Sequence, residues 1–230
     1  MTRKALLCLL TTTVAAFALQ AGSAFAQSET KPSSKKVAVT IDCSQAPELQ
    51  SWADAAKATV EKWYPKLDKQ FKTKGFAPPR NIKLIFRPMN GVAYTDGTGI
   101  NISQKWVTDH PDDMGMVVHE MFHVIQSYPS YNPVWLVEGI TDYVRFFIYE
   151  PKAKLGFINP DKAKYTDSYR TTGAFLNWIT KNYDKKFVTK VNTELRHDTF
   201  SMDQFKQLTG KSVDELWDGF IAYLRVNPTK

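Results

Sequence analysis

His119-Glu120-Met121-Phe122-His123-Val124-Ile125-Gln126 leads through Ser127–Asn132 into Pro133-Val134-Trp135-Leu136-Val137-Glu138-Gly139-Ile140-Thr141-Asp142. In the first segment two histidines stand four apart, with a glutamate beside the first. At 3.6 residues per turn the two imidazoles rise from one helix face about 6 Å apart, near enough to share one metal ion, while Glu120 points in a neighbouring direction. Met116, Val117, Phe122, Val124 and Ile125 predict that this helix is partly buried, which holds both rings rigidly.

A metal ion that does chemistry takes three protein ligands and keeps one position open, so a third ligand is required. Glu138 is the candidate, because the second apolar segment predicts a helix that the short connection folds back against the first. Asp142 follows one turn later on the same face, spaced to accept the ring N–H of a ligand histidine and fix its tautomer. Trp135, Leu136, Val137, Ile140, Tyr143 and Val144 surround the two acids with apolar residues. Two carboxylates without partners would be costly to bury there. Gly139, unfavourable inside a helix, is expected to let the histidine helix approach closely.

Upstream, Val37-Ala38-Val39-Thr40-Ile41 reads as a strand, and Leu49, Trp52, Ala56, Val60, Trp63, Leu67 and Phe71 follow at helical spacing, with Pro65 as a potential kink. Ile82-Lys83-Leu84-Ile85-Phe86 is a second strand. Asp96-Gly97, between Gly91–Tyr94 and Ile100–Ser103, marks a hairpin or a tight loop between strands. Beyond Ser103 the pattern is helical, over about 112–127, 133–149, 168–182, 185–196, 202–209 and 213–226. Asn132 suits an N-cap followed by proline, Ser212 with Glu215 a capping box, and Gly210 a helix end. The expected fold is α+β and zincin-like: a small N-terminal mixed sheet with a long helix, an active-site helix pair, and a helical C-terminal part.

Arg3 and Lys4 precede an apolar run from Ala5 to Leu19 and the small-residue pattern Ala24-Phe25-Ala26, so residues 1–26 read as a secretory signal peptide. The run is too short to span a bilayer comfortably, and no stable membrane insertion is expected. The polar stretch 27–36 is expected to be a flexible lead-in, and 37–230 a single domain. A secreted or periplasmic location follows. Loss of Arg3 and Lys4, with no acid lost, lowers the formal charge from +7 to +5. That balance favours association with anionic surfaces such as cell envelopes, but the charges are scattered and no Lys/Arg block marks a nucleic-acid site. Of the two cysteines, Cys8 lies in the signal segment, so Cys43 has no intramolecular partner and carries no assigned role.

The segments His119–Tyr149, Ala46–Leu49, Trp63-Tyr64-Pro65, Tyr169-Arg170-Thr171-Thr172-Gly173-Ala174-Phe175-Leu176, Leu208–Lys211 and Leu216-Trp217 together resemble the plant-type basic secretory proteins and their bacterial relatives, in the same order and over nearly the whole mature chain. The resemblance implies a zinc peptidase of the glutamate-zincin type, in which His119, His123 and Glu138 bind one Zn2+ ion and Glu120 is the general base. Peptide or protein is the substrate class it implies. A donor for the tetrahedral oxyanion is still needed. Tyr169, opening the helix after the ligands, is the first choice and His197 the second; His110, before Pro111, is expected to belong to a helix start. An edge strand for pairing with extended substrate is expected from Val92–Tyr94 or Ile100–Ser103. The alternative from another class is a basic binding or defence protein, associated with envelope or carbohydrate, on the same scaffold without turnover. Oligomeric state is not legible.

Overall fold

The computed structural model describes residues 36–229; the expected signal peptide and most of the lead-in lie outside them. Strand β1 (Ala38–Asp42) passes through a single 3-10 turn (Pro47–Leu49) into α1 (Gln50–Gln70), and the chain returns as β2 (Asn81–Arg87), parallel to β1. A parallel return needs a long crossover, and α1 supplies it. Strands β3 (Ala93–Asp96) and β4 (Gly99–Ser103) form a hairpin whose turn places Gly97 at φ +57°, a conformation that favours glycine. The strand order is β1-β2-β4-β3, with β4 parallel to β2 and β3 antiparallel at the edge. Ile100–Ser103 is thus an interior strand with no free edge, and of the two expected edge segments only the one in β3 is available.

Period-two burial of Ile82, Leu84 and Phe86 in β2 turns one sheet face to the core. Against that core lies α1, burying Ala53, Ala56, Val60, Tyr64 and Leu67 at helical spacing. The helix runs unbroken through Pro65, which is exposed. After β4 come α2 (Gln104–Asp109), α3 (Met114–Gln126) and α4 (Val134–Val144), the last closing in a π-helical turn, Arg145–Tyr149. Then follow α5 (Tyr169–Asn182), α6 (Phe187–Arg196), α7 (Asp203–Thr209) and α8 (Val213–Val226). Among the described residues the architecture is mixed α+β, a four-stranded sheet with eight helices.

Several local expectations shift. Helix α2 was not anticipated: it buries only Val107, too little periodicity to read, although the Ser103 hydroxyl caps it by accepting from Trp106 N. Pro133, not Asn132, caps α4; it is extended (φ −77°, ψ 130°), and its carbonyl accepts from the amides of Leu136 and Val137. The reciprocal Ser212–Glu215 capping bonds and the left-handed Gly210 stand where expected.

The glycine in α4 serves a different neighbour from the one expected. A Cβ on Gly139 would lie 2.2 Å from Thr172 Cγ2 of α5, and a Cβ on Gly173 would lie 2.9 Å from the backbone nitrogen of Tyr143 in α4. Gly139 therefore admits α5, not the histidine helix, and the two glycines together seat α4 against α5. Helix α3 is buried almost all round, more than its sequence suggested, with Phe122 packed edge-on against Phe71 at 4.7 Å. No helix among the described residues is long and apolar enough to cross a membrane.

Candidate metal centre

Helix periodicity in α3 brings the His119 and His123 rings to 5.0 Å between centroids. The packing of α4 on α3 aims Glu138 at both: its Oε2 is 3.2 Å from His119 Nε2 and 3.6 Å from His123 Nε2. A tetrahedral ion with ligands about 2.0–2.1 Å away needs donors about 3.3 Å apart, so these spacings fit. Each histidine is also held by its other nitrogen. His119 Nδ1 lies 2.7 Å from Asp142 Oδ1, and His123 Nδ1 lies 2.8 Å from Gln126 Oε1. The Gln126 amide nitrogen donates to the Val137 carbonyl at 3.1 Å, which turns the oxygen end toward His123. Both imidazoles therefore donate from Nδ1 and turn Nε2 toward the point Glu138 faces. His119, His123 and Glu138 form a buried group that could hold a metal ion.

Charge favours a cation at this point. Burial alone pulls His119 down, but hydrogen bonds to Asp142 and Glu138 outweigh it and hold the imidazole up at about 10. Burial pushes the Glu138 carboxyl up, yet its bonds to the two histidines dominate and hold it well below the usual carboxylate range. In the bare chain a proton thus supplies the positive charge that a metal ion would bring.

Glu120 is buried beside the ligands, and the Thr95 hydroxyl of β3 lies 2.8 Å from its Oε2 and 2.9 Å from its backbone carbonyl. One carboxylate oxygen is thereby fixed to the edge strand. Two half-exposed tyrosines flank the group. Tyr169 stacks on His119, with centroids 6.1 Å apart and planes at 22°. Tyr131, in the loop joining α3 to α4, donates its hydroxyl to Glu138 Oε1 and lies 3.5 Å from His123 Nε2. Burial and the surrounding carboxylates raise both phenols above their ordinary value, so both stay protonated donors at neutral pH. Ser168 and Tyr169 both have positive φ (63° and 47°), a strained approach that fixes where the Tyr169 ring sits. All these groups line one open cleft of about 720 Å³, walled by β3 on one side and α3 on another.

The structure brings His119, Glu120, His123, Glu138, Asp142 and Tyr169 to this one cleft. His197 caps the exposed end of α6 and His110 stacks on Trp106 at 3.8 Å; neither lines the cleft, and neither does the buried Cys43. Three residues here escaped the sequence reading. Gln126 is three positions after His123, a spacing that could have revealed it. Thr95 and Tyr131 reach the cleft only through tertiary packing. A further support lies behind α3: buried Arg196 of α6 donates to the carbonyls of Ile125 and Gln126, closing the C-terminus of the histidine helix, and to Phe71 O at the end of α1.

A donor set that could hold a metal ion, in an open cleft with a separate carboxylate beside it, is the candidate functional site. The family model described as "Peptidase of plants and bacteria" (BSP) matches residues 21–220, and the chain belongs to this family, that of the basic secretory proteins. Neither the curated proteins nor the solved structures contain a match to the chain.

Proposed function

We propose that this protein is a zinc-dependent peptidase with a zincin-like fold, acting in the periplasm or outside the cell after removal of residues 1–26. The observation that carries the reading is the convergence of His119 Nε2, His123 Nε2 and Glu138 Oε2 within an open cleft, with Glu138 Oε2 3.2 and 3.6 Å from the two nitrogens and all three atoms within 4.8 Å of one another. Two imidazoles and a carboxylate form a donor set suited to catalytic zinc. Zinc in this position supplies a Lewis acid, which acidifies water and polarises a carbonyl.

The chain's own residues do the rest. Glu120 accepts the proton of the attacking water and delivers it to the leaving amine, while Thr95 holds one of its two oxygens. Tyr131, beside His123 and Glu138, and Tyr169, stacked on His119, are both protonated and are the two candidate donors for the oxyanion. The outer edge of β3 is suited to pair with an extended peptide backbone. Glu120 beside the ligands favours turnover over a binding role, since a purely structural metal site needs no base.

The test combines metal analysis of the purified mature chain with peptide-library digestion. One zinc per chain is expected, together with chelator-sensitive cleavage. Glu120→Gln should keep the zinc and lose roughly 10²–10⁴-fold in turnover. Unchanged hydrolysis in that variant overturns the mechanism, and N-terminal sequencing of the exported protein checks cleavage near residue 26.

A further inference from the structure

Two arginines line the cleft, and their situations differ. Arg145 is committed: its Nη2 donates to Asp113 Oδ1 and its Nε to Glu150 Oε1, both at 2.6 Å. Arg170 makes no hydrogen bond or ion pair among the described residues. It is nevertheless placed. Its guanidinium lies 5.2 Å from the centre of the Phe146 ring, which also receives Arg145 at 4.8 Å, and its Nη1 comes within 3.8 Å of where a Cβ on Gly156 would stand. Its backbone follows directly on the strained pair Ser168-Tyr169, whose ring is fixed on His119.

The position along the cleft is legible from its neighbours. Arg145 contacts the start of α3 through Asp113, and its Nε lies 2.6 Å from where a Cβ on Gly115 would stand; Arg170 shares a ring with it, so Arg170 marks the α3 N-terminal end. Tyr131, Gln126 and Ser127 mark the opposite end, with the ligand group between them. The acidic side chains in the cleft, Asp113, Glu120, Glu138 and Asp142, are each bonded to Arg145, Thr95 or the histidines. Among the described residues the cleft thus has one uncommitted arginine, at one end.

We propose that Arg170 is a specificity residue that binds a substrate carboxylate, either an acidic side chain or a free C-terminus, at the α3 N-terminal end of the cleft. The inference rests on the peptidase reading and names part of its substrate class. A guanidinium offers a planar fork of donors matched to a carboxylate, and its seat on Phe146 leaves that fork to be filled by a ligand.

Calorimetric titration of the zinc-loaded Glu120→Gln protein with matched N-acetylated hexapeptides tests it. The peptides differ only in Glu against Gln at each position in turn, and in a free against an amidated C-terminus. A carboxylate at one site is expected to tighten binding by about tenfold, with the peptide series showing whether it is a side chain or the terminus. Arg170→Gln should erase that preference while binding the uncharged peptides as before, and Arg170→Lys should keep part of it. Equal affinity for charged and uncharged peptides, absence of binding, or a preference that survives Arg170→Gln overturns the proposal. Because the titration needs no turnover, an Arg170-dependent preference in a protein that never hydrolyses peptide would defeat the peptidase reading alone. Hydrolysis without the preference would defeat this proposal alone.

Discussion

Gln126 Oε1 lies 2.8 Å from His123 Nδ1, and the other end of the same amide is committed to the Val137 carbonyl. A residue of α3 therefore uses α4 to aim a ligand of α3. Gln126→Leu removes the acceptor that fixes the His123 tautomer, and metal affinity should fall by roughly 10- to 100-fold. Competition with a chelating dye measures it. Unchanged affinity would mean that packing alone orients His123.

Metal binding should tighten as pH rises, while the metal-free fold weakens. His119 has an ordinary value of 6.5 and is held at about 10 in the bare chain by Asp142 and Glu138, against the pull of burial. Its folded value exceeds its unfolded one, so its stabilisation is complete below about pH 6.5 and is lost as pH climbs through about 10. A metal ion bound there would have to displace that proton, which strengthens apparent affinity by up to about tenfold per pH unit in the same window. Melting curves of the chelated protein and zinc titrations between pH 6.5 and 10 provide the comparison. A melting temperature that rises across this window counts against the arrangement.

Gly139→Ala should destabilise the protein by about 1–3 kcal/mol, the usual cost of overpacking. The added methyl meets Thr172 Cγ2 at 2.2 Å and Thr172 Cβ at 2.6 Å. Thr172→Ser in the same chain removes only the first clash, so rescue should be partial. Denaturant unfolding of the two single variants and the pair reveals this as non-additivity.

Arg196→Met should cost about 2–4 kcal/mol, because it leaves the carbonyls of Ile125 and Gln126 buried without the donor that Arg196 supplies, and leaves the Phe71 carbonyl with only a long bond from Asn192. Burial lowers the Arg196 guanidinium from its ordinary value, and Tyr128, Asp68 and Tyr64 offset only part of that pull. Denaturant unfolding of the metal-free protein isolates the effect from ligand binding. A loss below about 0.5 kcal/mol would place this arginine among ordinary surface residues.

The parts of the site that sequence revealed are those set by helical periodicity. His119 and His123 are one turn apart, Glu138 and Asp142 are one turn apart, and the connection from Ser127 to Pro133 leaves little choice but to fold one helix on the other. What stayed hidden depends on which element lies behind or across. Gly139 signalled a close approach without revealing that α5, not α3, makes it. Thr95 is one hydroxyl in a short hairpin, and nothing in its neighbours announces a carboxylate on another element. Tyr131 sits in a loop, where no periodicity points its ring. Helix α2 escaped because six residues with one buried apolar position look like any connecting segment.

Thr95 belongs to the edge strand, and its hydroxyl touches both the backbone and the carboxylate of Glu120. The strand that would register a peptide and the group that would move its proton are therefore fastened together at one side chain. A shift of β3 along its own axis would not simply reposition the substrate; it would retune the base at the same moment. If the proposed function holds, alignment of the chain to be cut and readiness to cut it are a single mechanical variable in this cleft.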